Sequence, residues 1–167
     1  QRLEPPRMTP SVGSFVTCTR RLEWDAAHRV LRHESKCAHL HGHRYRADVT
    51  CEGVLDSVGR VIDFGIVKLH LGTWIDEWWD HGTLVNPEDL DLIDWLEINR
   101  QKYYTMHHGE PTAENLAKEL LSIARAILEG DGIEVVNIRI YETPNCWADA
   151  SGDIEVKHIE TSILVMP

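Results

Sequence analysis

The chain has 167 residues, with 17 Lys+Arg against 27 Asp+Glu and a formal net charge of −10, which fits one domain and disfavours general binding to nucleic acid or an anionic membrane, both of which need a basic face. With 43% hydrophobic and 26% charged residues it has the composition of a folded protein with a real core, not of a disordered or fibrous one. No apolar run approaches the roughly 20 residues of a spanning helix, and Cys18, Cys37, Cys51 and Cys146 lack CxxC spacing, so reduced thiols in the cytoplasm are expected rather than a disulfide scaffold.

Residues 1–13 are polar and proline-rich and read as a disordered N-terminal arm or a cloning scar ahead of a single domain over 14–167. Ser14 to Glu23 carries β-branched residues and predicts a strand entering WDAAH, with His28 at its end. Tyr45, Ala47, Val49 and Cys51 alternate with Arg46, Asp48 and Thr50, the pattern of a strand with one buried face. After a connection over Gly53–Gly59, Asp63 stands where a helix N-cap belongs, and Phe64, Val67, Leu71, Trp74, Ile75 and Trp78 follow at helical spacing to about Trp79. Trp74, Trp78 and Trp79 are read as core or subunit contacts. The acidic stretch 80–110 predicts a short helix near Glu88–Leu96 and then an irregular loop bearing aromatic residues and histidines.

A second long helix starts at Pro111 and Thr112, places Glu114 near its positive end and buries Leu116, Leu120, Ile123, Ala124 and Ile127 before Gly130–Asp131–Gly132 stops it. Ile133–Tyr141 and Ile154–Val165 predict two more strands, joined by TPNCWADASGD. The order strand, strand, helix, strand, strand implies an α+β fold with an antiparallel sheet.

The chemistry is concentrated in WDAAHRV, which holds His28, and in KCAHLHGHRY, which holds Cys37, His41 and His43. His41 and His43 lie two apart, so in extended chain both imidazoles point to one side, and His28 can supply a third nitrogen from the adjacent strand. Three histidines with an open fourth position describe a catalytic zinc site, whereas structural zinc sites are closed, usually by cysteines. Gly42 removes a side chain between the two ligands. Spacing alone leaves His33 and His39 as solvated loop residues or substitute ligands.

Six stretches in order, WDAAHRV, CAHLHGHRY, GRVIDFGIVK, WDHGTLVN, PTAENLAKELL and YETPNC, make the chain resemble the superfamily of 6-pyruvoyl-tetrahydropterin and 6-carboxy-5,6,7,8-tetrahydropterin synthases over about residues 15–147. The resemblance implies zinc on His28, His41 and His43, a catalytic cysteine at Cys37, an Asp–His dyad at Asp80–His81, a pterin-anchoring glutamate at Glu142 and a pterin-pocket threonine at Thr112. The C-x3-H-G-H spacing looks like the 6-carboxy branch.

The implied reaction converts 7,8-dihydroneopterin triphosphate to 6-carboxy-5,6,7,8-tetrahydropterin with release of acetaldehyde and triphosphate, in queuosine biosynthesis. In it Cys37 suits proton abstraction from carbon as a thiolate. His81 suits a second acid–base role with Asp80 orienting its ring, and Glu142 can accept two hydrogen bonds from the pterin's 2-amino group and ring N–H. The implied architecture is the T-fold, an antiparallel four-stranded sheet with two helices on one face, assembling into a barrel. The implied assembly is a homohexamer (a dimer of trimers) with sites at subunit interfaces.

Two rivals stand beside this reading: a pyruvoyl-type synthase that eliminates triphosphate without cleaving the side chain, and a non-catalytic zinc- or pterin-binding module, against which Cys37 and Asp80–His81 speak because binding alone needs neither. The chain departs from compact family members in an insertion around 86–110, where Lys102, Tyr103, Tyr104, His107 and His108 are the residues of interest. Residues 20–46 carry seven basic against three acidic side chains, and residues 75–100 eight acidic against one basic. The net charge therefore averages over a polarised chain, and a local field can attract a polyphosphate despite it.

Overall fold

The structure, a computed structural model, describes residues 15–130 and 132–153. In chain order its elements are β1 (Val16–His28), a 3-10 turn (Lys36–Ala38), β2 (His41–Gly53), α1 (Phe64–Val67), a π-helical turn (Lys68–Gly72), α2 (Thr73–Trp78), β3 (Gly82–Val85), α3 (Leu90–Ile98), β4 (Tyr103–Thr105), α4 (Ala113–Leu128), β5 (Ile133–Thr143) and β6 (Cys146–Ser151).

β1 and β2 run antiparallel in unbroken register from Val16↔Gly53 to His28↔His41. Alternation along the pair puts Leu22, Trp24, Ala26 and His28 on one buried face with Tyr45, Ala47, Val49 and Cys51. β5 pairs with β2, across an irregularity between Thr50 and Cys51, and β6 pairs with β5, which gives an antiparallel unit β1-β2-β5-β6. The α1–π–α2 rod begins as its spacing predicts, with Asp63 Oδ1 accepting from the Gly65 amide at 2.7 Å. α4 is capped by Thr112 and buries Leu116, Leu120, Ile123 and Ala124 against β5 and β6. Within this core Trp24 stacks on Tyr45 at 5.5 Å and meets Trp79 at 5.5 Å, and the half-buried Trp74 and Trp78 pack around it.

The sheet departs from the expected four strands. It has six, in the order β4-β3-β1-β2-β5-β6, because β3 adds parallel to Ala26–His28 and β4 adds parallel to β3. All four residues of β3 are buried, so the segment lacks the alternation that marks a half-exposed strand. α3 crosses between the two short strands and is held there by Val85, Leu92 and Leu96, with Ile93 and Tyr103 packed against them. The expected short helix near Glu88–Leu96 is α3, but β3 before it and β4, within the stretch read as an irregular loop, turn the segment into a β–α–β extension of the sheet.

A second correction concerns TPNCWADASGD, read as a connection. Its Cys146–Ser151 portion is β6, joined to β5 by a tight turn at Pro144–Asn145. Its inward residues, Ala148 and Ala150, are too small to announce a strand, whereas its outward Trp147 and Asp149 pair across to Tyr141 and Arg139. The predicted strand Ile154–Val165 lies outside the described residues.

Candidate metal centre and active site

The paired ends of β1 and β2 bring His28, His41 and His43 together, one nitrogen from each lying within 4.8 Å of the others. His28 Nδ1 is 2.7 Å from the Pro111 carbonyl and His41 Nδ1 is 2.7 Å from the His39 carbonyl. A carbonyl can only accept, so both rings carry their proton on Nδ1 and turn a bare Nε2 inward. Those two Nε2 atoms stand 3.2 Å apart, and among the described residues the buried Nε2 of His43 has no hydrogen-bond partner. Converging neutral lone pairs oriented by backbone carbonyls are the donor set of a transition-metal site, so the triad fits a divalent cation.

Burial pushes the His28 imidazole down to about 4 and also lowers that of His43. Both rings are thereby kept in the neutral form that ligates. Gly42 is required by close approach: a Cβ there would lie 3.0 Å from the Ala26 carbonyl oxygen. Glu142, at the end of β5, reaches the same place, with Oε1 3.2 Å from His28 Nε2 and 3.6 Å from His43 Nε2.

Cys37 is half-buried in the 3-10 turn just before β2, and its carbonyl accepts from the Val30 amide at 2.9 Å. The loop between β1 and β2 is fastened at its start by Arg29, whose guanidinium makes a two-point pair with the buried carboxylate of Asp89. Thr112 Oγ1 accepts from the Asn115 amide at 3.3 Å, one residue from the carbonyl that orients His28. Among the described residues His33 bonds within its own loop, its Nδ1 accepting from the Ser35 amide and its amide donating to the Val30 carbonyl, and His39 contributes its carbonyl to His41.

Asp80 and His81 are paired directly, with His81 Nδ1 2.6 Å from Asp80 Oδ2. Asp80 Oδ1 accepts from the Asp25 amide at 2.9 Å. Burial works to raise its carboxyl, but the Asp25 N–H, His81 and Lys102 outweigh it and hold the group below the usual carboxylate range. His81 adopts a left-handed φ of 56°, a strained conformation for a non-glycine residue, and its ring is 77% exposed. It lines a cleft of about 580 Å³ with Asp25, His43, Arg44, Thr83 and Lys102. Among the described residues no hydrogen bond or ion pair links the dyad to the triad. Lys102 donates to the carbonyls of Asp76 and Asp80, at 3.0 and 2.7 Å.

Sequence reading missed a buried carboxylate. Glu119, on the inner face of α4, accepts from Tyr104 Oη at 2.9 Å and from the His107 amide, with His107 Nδ1 at 2.5 Å and His108 Nε2 at 3.7 Å. The available signal was a charged residue among the apolar positions Leu116, Leu120 and Ile123. It also missed Glu110, Asp89 and the Pro111 carbonyl, the last of which has no side-chain signature at all. Cys18 and Cys51 are ordinary buried or half-buried thiols, Cys51 pushed up to about 11 by burial, and Cys146 is exposed.

The family model described as 6-pyruvoyl tetrahydropterin synthase matches residues 17–153. A protein named 6-carboxy-5,6,7,8-tetrahydropterin synthase from Rickettsia felis is 40% identical over 138 residues, covering 81% of this chain and 99% of that protein. One named putative 6-carboxy-5,6,7,8-tetrahydropterin synthase from Pyrococcus horikoshii is 32% identical, covering 80% and 88%. Among solved structures, an uncharacterized protein from Wolinella succinogenes superposes with a TM-score of 0.71 at 21% identity, covering 84% of this chain and all of that one. The 6-pyruvoyl tetrahydropterin synthase of Caenorhabditis elegans gives 0.62 at 22% identity, covering 84% and 98%. The architecture is accordingly the T-fold, with two strands added to its four. The chain belongs to the 6-pyruvoyl tetrahydropterin synthase family.

Proposed function

We propose that the chain converts 7,8-dihydroneopterin triphosphate to 6-carboxy-5,6,7,8-tetrahydropterin, releasing acetaldehyde and triphosphate, as a zinc-dependent lyase of queuosine biosynthesis in the cytoplasm. The observation that carries this reading is the convergence of three neutral imidazoles at the end of β1–β2 with Cys37 in the turn that leads directly into them. The C-x3-H-G-H spacing and the names of the curated relatives favour the 6-carboxy product over the pyruvoyl one.

Zinc held by His28, His41 and His43 would supply Lewis-acid polarisation of the substrate's side-chain hydroxyls. Glu142 offers two acceptor oxygens to the pterin ring, and its position beside the triad brings the side chain of a pterin anchored there next to the histidines. Thr112 lies at the same edge, one residue from Pro111. Cys37 takes a proton from carbon as a thiolate, and His81, aligned by Asp80, delivers or removes a second.

In the implied assembly a neighbouring chain completes the site, beside the cleft that His81 and His43 line together in this chain. An oligomer also fits the sheet: among the described residues β3 covers β1 only at Ala26–His28, leaving the rest of that edge of β1 open, as is the outer edge of β6. A homohexamer closes such edges.

The deciding test is incubation of the metallated protein with 7,8-dihydroneopterin triphosphate, with and without chelator, followed by mass spectrometry. Acetaldehyde and a carboxypterin, lost on chelation, are expected. A pyruvoyl product would assign the chain to the sister reaction. No turnover with metal bound would overturn the enzymatic reading.

A further inference from the structure

Gly109, in the left-handed region at φ 93°, turns the chain so that Glu110 faces back toward the start of the loop between β1 and β2. The half-buried Glu110 carboxylate divides its two oxygens between two backbone donors of that loop: Oε2 accepts from the Leu31 amide at 3.0 Å and Oε1 from the Arg32 amide at 3.1 Å. Glu110 is itself fixed, its carbonyl accepting from the Thr112 amide at 2.8 Å and from Asn115 Nδ2 at 2.9 Å. The next residue, Pro111, gives its carbonyl to His28, and Thr112 caps α4. On the loop side, Val30, adjacent to the gripped pair, donates its amide to the carbonyl of Cys37.

We propose that Glu110 is a positioning residue for Cys37: a carboxylate clamp that hangs the cysteine-bearing loop from the same Glu110–Pro111–Thr112 strap that orients His28. This deepens the functional reading above and rests on it for the role of Cys37. The chemistry requires a carboxylate because two parallel N–H donors need two acceptors. Glutamine has the same length but supplies one oxygen and an NH2 group, which would oppose an amide N–H. The ion pair of Arg32 with Glu88, by contrast, joins two exposed side chains and fixes little.

The test uses zinc-loaded full-length protein and the variants Glu110→Gln, Glu110→Ala and, as a control, Glu88→Ala. Bound zinc is quantified, and alkylation by iodoacetamide is followed residue by residue, with the exposed Cys146 as internal reference. Both Glu110 variants are expected to keep zinc, since Pro111 contributes only its backbone. Each should raise the alkylation rate of Cys37 relative to Cys146 at least about threefold and lower kcat about tenfold or more, with KM changed less. Glu88→Ala should leave the labelling ratio within about twofold of wild type.

An unchanged Cys37 ratio in both Glu110 variants, an equal change in Glu88→Ala, or zinc loss in Glu110→Gln parallel to the labelling change would overturn the clamp. A wild-type protein inactive on the pterin triphosphate overturns the functional reading alone, because metal content and Cys37 labelling still report on the clamp.

Discussion

The ring of His28 is held by a main-chain atom of a residue 83 positions away: its Nδ1–H donates to the Pro111 carbonyl at 2.7 Å. That bond fixes the tautomer of the most buried member of the triad and ties the candidate metal centre to the start of α4.

The protein is expected to purify with about one equivalent of zinc, and His28→Ala or His41→Ala to weaken metal binding by more than the roughly 10–100-fold seen when a supporting outer contact is lost. Chelation should lower the thermal midpoint, because a cation bound at 1,000 times its Kd stabilises the fold by about 4 kcal/mol. Elemental analysis and calorimetry check both. A chelator-insensitive midpoint in a zinc-containing sample would count against the triad.

Gly42→Ala tests the packing between the ligands. Its Cβ would press within 3.0 Å of the Ala26 carbonyl oxygen, in a sheet whose backbone cannot yield cheaply. A destabilisation of about 1–3 kcal/mol is expected from overpacking. Zinc affinity should fall with it, as separating β1 from β2 parts His28 from His41. Urea denaturation and zinc titration measure the two effects.

The pair of half-buried Arg29 with buried Asp89 gives a pH signature. The Arg29 guanidinium at Asp89 lowers that carboxyl below its ordinary value, against an opposing contribution from burial. A group depressed in the folded state contributes stability that is present above its unfolded value, near pH 4, and is lost as pH falls through the folded one. Asp89→Asn keeps an N-cap for α3 and removes the charge. It should cost about 1–3 kcal/mol at neutral pH, and its difference from wild type should shrink below about pH 4, read from urea midpoints across pH.

His81→Gln is expected to reduce kcat by about 100-fold to 10,000-fold, the range for a general acid or base, while zinc content stays at the wild-type level. Asp80→Asn should act in the same direction through the ring it orients at 2.6 Å. Steady-state kinetics with parallel metal analysis separate this from loss of the triad.

Most of the fold was legible where one physical rule dominates. The alternation of Tyr45, Ala47, Val49 and Cys51, the cap at Asp63 and the spacing of α4 each follow from local geometry and burial, and each appears in the structure, except that Ile127, near the end of the α4 face, is exposed. β3 was illegible because all four of its residues are buried, and β6 because its inward residues are alanines. Of the site, the three histidines were legible because HxH in a strand must face one way.

The order of side chains carried the candidate groups, three imidazoles, a thiol, an Asp–His pair and a glutamate, in an arrangement that resembles one family. Tertiary structure alone decided which nitrogens face inward, since the carbonyls of Pro111 and His39 select the tautomers of His28 and His41. It also decided that Glu142 stands beside the triad, that Asp80–His81 bonds to Asp25 and Lys102, and that Glu110 grips the loop of Cys37. The physical reason is that all of these contacts except the carboxylate–imidazole approach of Glu142 use a backbone amide or carbonyl, which every residue carries, so their pairing across the chain leaves no mark on the order of side chains.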